Sequence, residues 1–402
     1  MKDHKKINKD FCWLFLRASL GEFHVIVPEL INFAEHENFE LRISFLNDKI
    51  KKQFFDNLLY RKLAERHFEV VERKDIIAFA NQNKKRIKYL FRELTRIDQY
   101  SVARSLRIIL PDTKLILFPH AFAFHVSKEL SNYQTLKIPS RNKFEDCVDA
   151  FIIFTEADKN YFSKRFPSEI IKVFTPRGLS EEWLNKLQGS ISNKEIKAFQ
   201  EKHPKRVLLT LRHPHKVYLS EKNYFELLQE VIQVANDFGY ELFLKPHPRQ
   251  DLQDFLNYCE TNDLQVWTKD TYTSALFFDL VITFWSSASI DFAAFGIPSI
   301  EHFRYEKYHN QLIQKNGKLS SLYVNMGLSL SSSNKAELEL TFKEMIESPQ
   351  KVGNEQQKKL SETYNSPRLN LNSMRFRKHK NYSFLTKIKH LARLYYYIIK
   401  NK

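Results

Sequence analysis

Lys245-Pro246-His247-Pro248 stands directly after the apolar run 241–245 and before a helix-patterned stretch that begins near Asp251. An imidazole and an ammonium at that junction suit an anionic ligand, because parallel α/β sheets bind ligands beyond the carboxyl ends of their strands. The plainer alternative is that Pro248 simply opens a helix. Further on, residues 283–303 read TFWSSASIDFAAFGIPSIEHF. An apolar run ends at Thr283, Ser286, Ser287 and Ser289 offer hydroxyls and backbone N–H groups at a helix start, and Gly296-Ile297-Pro298 turns into the next run. Such a start can hold an anion, or it can be ordinary capping. The segment LRHPHK, residues 211–216, places Arg212, His213 and Lys216 after an earlier apolar run. Those cations fit a phosphate or an acidic sugar, and a solvated loop fits equally well. With only 8 glycines the chain has no GxGxxG or Walker loop, so phosphate must be held by helix N-termini, hydroxyls, His and Arg.

The elements that position these residues read as parallel βαβ units, short β-branched or aromatic runs alternating with longer helical patterns. A first series has expected strands at 12–16, 40–45, 68–71, 114–118, 150–154 and 170–174, and a second at 206–211, 241–245, 265–268, 280–283 and 299–302. Between them, residues 175–204 carry TPRGLSEEW and the polar GSISNKE, punctuation that suits a connection. The expected organisation is an N-terminal lobe at 1–180, a linker at 181–204, a second lobe at 205–350 and a helical basic tail at 351–402. From 375 to 402 there are nine Lys or Arg and no acid, with apolar residues interleaved at near-helical spacing. That pattern suits either docking on an anionic membrane surface or a packed terminal helix.

The order strand, KPHP, helix, strand, helix, strand, SS-x-S-x-D, FGIPSI resembles the nucleotide-binding half of the capsule Kdo transferases, bacterial polysialyltransferases and CDP-glycerol glycerophosphotransferases. The resemblance covers residues 207–303 and implies a GT-B architecture, two doubly wound Rossmann-like lobes facing a cleft. It implies that His247, Ser286 and Ser287 hold the donor's phosphates. Arg212-His213-Pro214 departs from that group's pattern at its position. In the first lobe, Ser19-Leu20-Gly21-Glu22 resembles the loop carrying the catalytic Glu of the lipid A Kdo transferases. A carboxylate at a helix N-terminus in a cleft can take the proton of an acceptor hydroxyl as that oxygen attacks an anomeric carbon. The bland reading makes Glu22 a favourable first-turn acid. His120, in LFPHAFAFH, can bind substrate or serve as the base, or be a packed histidine; Glu156 stands similarly past a strand.

Composition bounds these readings. At 402 residues and 43% hydrophobic, with 34 Phe and 18 Tyr, the chain suits two globular α/β lobes. Three scattered cysteines without CxxC spacing argue against a disulfide framework or structural zinc and fit a reducing cytoplasm. No stretch suits a signal peptide or a membrane span. Net charge is +16, enough to attract a phosphorylated substrate, anionic lipid or nucleic acid. No RRM, KH or helix-turn-helix signature accompanies that charge, so nucleic acid is not the expected partner.

The expectation is a nucleotide-sugar-dependent transferase, inverting if Glu22 is the base, with Lys245 and Ser289 also at the donor site. No divalent metal and no cofactor is called for. The favoured donor is a CMP-activated acidic sugar such as Kdo, with CDP-glycerol or a UDP-sugar as alternatives, and the acceptor a surface polysaccharide or lipid-linked glycan at the inner membrane face. A UDP-sugar epimerase or hydrolase on the same fold, or a nucleic-acid-binding protein, are the rivals from other classes.

Overall fold

The computed structural model describes residues 9–17, 21–93, 102–119, 147–163, 166–189, 191–214, 219–247, 252–305, 312–315, 318–376 and 382–400. The chain divides into two compact units. Of the described residues, those up to Gly178 and those from Ser366 onward form the first, and those from Leu179 to Asn365 form the second.

The first unit is built on β1 (Phe11–Leu16), β2 (Glu40–Phe45), β3 (Phe68–Val70), β4 (Ile87–Glu93), β5 (Lys114–Phe118), β6 (Ala150–Ile153) and β7 (Ile171–Val173). They form one sheet in the order β3-β2-β1-β4-β5-β6-β7, every pair parallel. β1 is wholly buried along its six residues, as a strand covered on both faces must be. The indole of Trp13 donates to Ser44 Oγ at 3.0 Å, and that hydroxyl donates to the Val71 carbonyl at 2.7 Å, tying three adjacent chain segments together.

β4 is the central strand, and the sequence reading leaves it as helical pattern. Its sequence IKYLFRE is rich in good helix formers and carries charges where a buried parallel strand is usually apolar. Arg92 and Glu93 are nevertheless 3% and 2% exposed.

The chain ends in the first unit. Thr175 bridges in parallel to Arg368, its N–H donating to the Pro367 carbonyl at 3.0 Å. The terminal helix Phe384–Lys400 packs against the helix Val102–Ile109, with Leu394 and Ile398 in the unit's core and His390 Nδ1 3.2 Å from Ser105 Oγ. Burial pushes the His390 imidazole down to about 4, with Arg104 the next cause. Residues 351–402 are therefore not one tail: the helix Pro349–Thr363 belongs with the second unit and residues from Ser366 onward with the first.

The second unit is built on β8 (Arg206–Thr210), β9 (Glu241–Lys245), β10 (Gln265–Val266), β11 (Val281–Thr283), β12 (Ser299–His302) and, after an antiparallel hairpin of β13 (Leu312–Lys315) and β14 (Lys318–Ser321), β15 (Leu330–Ser332). The six-stranded sheet runs β10-β9-β8-β11-β12-β15, again parallel throughout. Leu208, Phe243, Trp267, Phe278 and Phe292 form the centre of its core. All eleven strands expected from sequence are present, and β4, β13, β14 and β15 are additional.

Candidate functional site

The strand order of the second unit sets where a ligand can sit. From β8 the chain steps outward through β9 and β10, then returns across β8 to lay down β11, β12 and β15 on its other side. The loops after β8 and β11 therefore diverge at the carboxyl edge, a topological switch point, where open α/β sheets form their ligand crevice. The register aligns Lys245, Thr210, Thr283 and Glu301 on neighbouring strands, and each is the last or next-to-last residue of its strand.

Arg212 and Trp285 link the two diverging loops. The Arg212 Nη1 donates to the Trp285 carbonyl, and the guanidinium carbon lies 4.2 Å from the indole centroid. A hydrogen bond and a ring contact to the same residue hold the guanidinium, whose planar fork is what recognises phosphate or carboxylate. Trp285 takes φ of 45° and is 1% exposed. Left-handed backbone at a bulky residue costs roughly 1–3 kcal/mol, so the packing around the indole over-determines this turn. His213, the next residue after Arg212, is exposed.

Ser286 and Ser287 follow Trp285 and are half-buried. Ser286 Oγ accepts from the Ala288 N–H at 3.2 Å, while Ser287, at the N-cap of the helix Ala288–Ala294, makes no side-chain capping bond. Ser289 sits elsewhere. It is fully buried, its hydroxyl 3.4 Å from that of Thr283, so it supports the loop from behind and has no surface to offer a ligand. The helix has only seven residues, which makes hydroxyls and N–H groups more important here than a helix dipole.

On the other side of β8, Lys245 is half-buried, and its Nζ donates to the Lys269 carbonyl. Burial pushes its ammonium down to about 8, with Asp270 opposing the shift. His247 is half-buried two residues beyond. Asp270 caps the helix Thr271–Ala275, accepting from the Thr273 N–H at 2.9 Å. Asp291 has its carboxyl pushed up to about 8 by burial and by repulsion from Asp270, with the Tyr272 hydroxyl opposing.

Beneath the Arg212 loop lies a buried carboxyl, Glu301, which accepts from the Tyr305 hydroxyl. Burial pushes it up to about 7, against the pull of the Tyr305 and Ser321 hydroxyls and of Arg212. The sequence reading gives no role to Asp270, Glu301 or Asp291, although Asp291 is the acid of the SS-x-S-x-D motif, because an isolated acid has no spacing partner to mark it.

In the first unit, Glu22 is the second residue of the helix Gly21–His36, which starts shortly after β1. Glu156 is exposed in the first turn of the helix Glu156–Phe162 and pairs with Lys159 at 3.2 Å, the arrangement of a solvated helix surface. His120 and Lys216 lie outside the described residues. The carboxyl edge of this sheet also carries Arg92 and Glu93 at the end of β4, paired with Phe15 of β1 and Phe118 of β5 respectively. They are buried charges beside both strands that lead to Glu22 and His120.

Among the described residues no helix is long and apolar enough to cross a membrane. No family model matches the sequence, and no curated protein matches it either. Solved structures do match. A glycosyltransferase from Rickettsia africae shares 12% identity over 98% of this chain and 100% of its own, with a TM-score of 0.53. The UDP-GlcNAc 2-epimerase of Methanocaldococcus jannaschii, solved with UDP-GlcNAc and UDP, shares 12% identity over 96% and 99% with a TM-score of 0.51. The wall teichoic acid polymerase TagF shares 12% over 98% and 90% with a TM-score of 0.50. Likeness at this identity speaks for architecture, and the conclusion it supports is that the chain has the α/β GT-B fold of glycosyltransferases and nucleotide-sugar epimerases.

Proposed function

We propose that the protein is a nucleotide-sugar-dependent glycosyltransferase that binds its donor at the carboxyl edge of the second unit's sheet. The observation that carries this reading is the Arg212–Trp285 pair joining the two loops of the switch point, with Ser286 and Ser287 following on one loop and Lys245 and His247 at the end of the adjacent strand. Cationic and hydroxyl donors fixed before the ligand arrives offset phosphate charge without reorganisation, and the same groups stabilise the charge that grows on the leaving nucleotide.

Glu22, at the start of its helix, is the general base that takes the acceptor hydroxyl's proton. The acceptor oxygen then attacks the anomeric carbon opposite the departing nucleotide, which inverts that centre. The acceptor is a surface polysaccharide or lipid-linked glycan at the inner face of the cell membrane. The sequence resemblance to Kdo and sialic acid transferases and the cationic edge favour a CMP-linked acidic sugar. The UDP-GlcNAc and UDP bound by the M. jannaschii epimerase support a UDP-sugar instead.

Thermal denaturation against CMP-, CDP- and UDP-activated donors tests the reading, because a ligand held by the folded state alone raises the apparent melting temperature. One donor class raising it, with the sugar passed to an acceptor, supports a transferase. The epimerase reading has its own support in the near-complete overlap with the M. jannaschii enzyme. It predicts conversion of a UDP-sugar with no acceptor present.

A further inference from the structure

The helix Phe384–Lys400 has two apolar faces, and the first unit uses only one. At 100° per residue, His390, Leu394 and Ile398 share the side that packs into the core. Phe384, Leu385, Ile388, Tyr395 and Tyr396 share the opposite side, with Phe384 76% and Leu385 77% exposed. Lys389 and Arg393 border that outer face on the helical projection, and Lys389 is exposed. Because the inner face is anchored, the outer one is presented as a formed surface and not as a segment that must fold on contact.

We infer that this outer face lies in the headgroup region of an anionic bilayer. Five large apolar or aromatic side chains in solvent on one helix face exceed the scattered exposure normal for a soluble surface. A helix with an apolar face and a bordering basic flank is the form that seats parallel to a membrane, the rings at the level of the headgroups. Charge identifies the partner: residues 375–402 hold nine Lys or Arg and no acid, within a chain of net charge +16. That field draws the helix to negative lipid and repels a second copy of the same chain. The inference stands on the helix itself and does not depend on which donor, or whether any, binds the second unit.

The test uses the full chain with vesicles of phosphatidylcholine alone and of phosphatidylcholine with phosphatidylglycerol, read by co-sedimentation at about 0.1 M salt. Expected are binding to the mixed vesicles that falls steeply as salt rises, and at most weak binding to the neutral ones. A variant with Leu385→Ser, Ile388→Ser and Tyr396→Ser alters only exposed positions and should keep the parent melting temperature while losing at least ~10-fold in vesicle affinity. Lys389→Glu should weaken binding to the mixed vesicles alone. Absence of wild-type binding to the mixed vesicles, or equal binding by the triple variant, overturns the inference. So does a lipid-free dimer that the triple variant dissolves, which would assign the face to self-association.

Discussion

Arg212 shows how much of this site depends on the shape of a side chain and not only on its charge. Its guanidinium carbon lies 4.2 Å from the Trp285 ring centroid, so Arg212→Lys keeps the cation but loses the planar fork and its contact with the indole. The expected result is a loss of donor affinity of about 1 kcal/mol or more by calorimetric titration, and unchanged affinity would mean that the charge alone matters. The serines separate in the same experiment. Ser286→Ala should weaken the donor, whereas Ser289→Ala should leave it bound and cost stability of about 1 kcal/mol, since its buried hydroxyl lies against that of Thr283. For the reaction itself, Glu22→Gln preserves size and removes the proton acceptor, so turnover should fall about 10²–10⁴-fold with donor binding near normal. Near wild-type turnover moves the role to His120 or Glu156. At this scale the sequence displays the residues that follow a strand and cluster with Pro or Ser, such as His247 and Ser286. It hides Arg92 and Glu93, whose significance comes from burial at the end of a strand that reads as helix.

Elements hold the serine loop from the far side. The helix Pro349–Thr363 lies so close to the turn at Gly296 that a Cβ on Gly353 would stand 2.0 Å from the Gly296 carbonyl oxygen. Gly296 has φ of 68°, a conformation that favours glycine. Around that contact, Gln356 exchanges two 3.0 Å hydrogen bonds with the backbone of Ser299, and Gln357 donates to the Ala294 carbonyl at 2.9 Å. Gly353→Ala is therefore expected to destabilise the second unit by at least ~1–3 kcal/mol through overpacking, seen as a lowered melting temperature. A melting temperature equal to wild type would mean that the helix can stand off from the turn at no cost. In the sequence, Gly296-Ile297-Pro298 is legible as a turn, but Gly353 in a polar helix gives no sign that it meets that turn. Strand positions were legible because β-branched and aromatic runs alternate with helical periods. β13, β14 and β15 were not, because short polar strands such as KLSS and LSS lack that alternation.

Among the described residues, burial raises the carboxyls of Glu29 and Glu301 to about 7 and of Asp291 to about 8, and raises that of Glu37 as well. In the unfolded chain such groups lose their protons near pH 4. Between that value and 7 to 8 the folded protein binds more protons than the unfolded one, so stability falls as pH rises through this window and levels off above it. Lys245 acts in the opposite direction above about pH 8, where the folded form has released its proton and the unfolded chain has not. His390, held down to about 4, opposes the carboxyls below its unfolded value of about 6.5. Melting temperatures should therefore decline most clearly from about pH 6.5 to about pH 8, and Glu301→Gln should flatten part of that slope; a profile that rises across this window would contradict the burial of these groups. The two-lobe parallel architecture was readable from the alternation of runs, but the return of Ser366–Lys402 to the first unit was not, because it rests on contacts distant in sequence such as Thr175 with Arg368. The central claim, a nucleotide-sugar donor on the second unit's sheet edge, is tested most directly by calorimetric titration of wild type and His247→Ala with whichever donor stabilises the protein. The expected result is saturable wild-type binding and a loss of about 1.5–3 kcal/mol in the variant at an unchanged melting temperature, whereas equal affinity in a folded His247→Ala protein would contradict it.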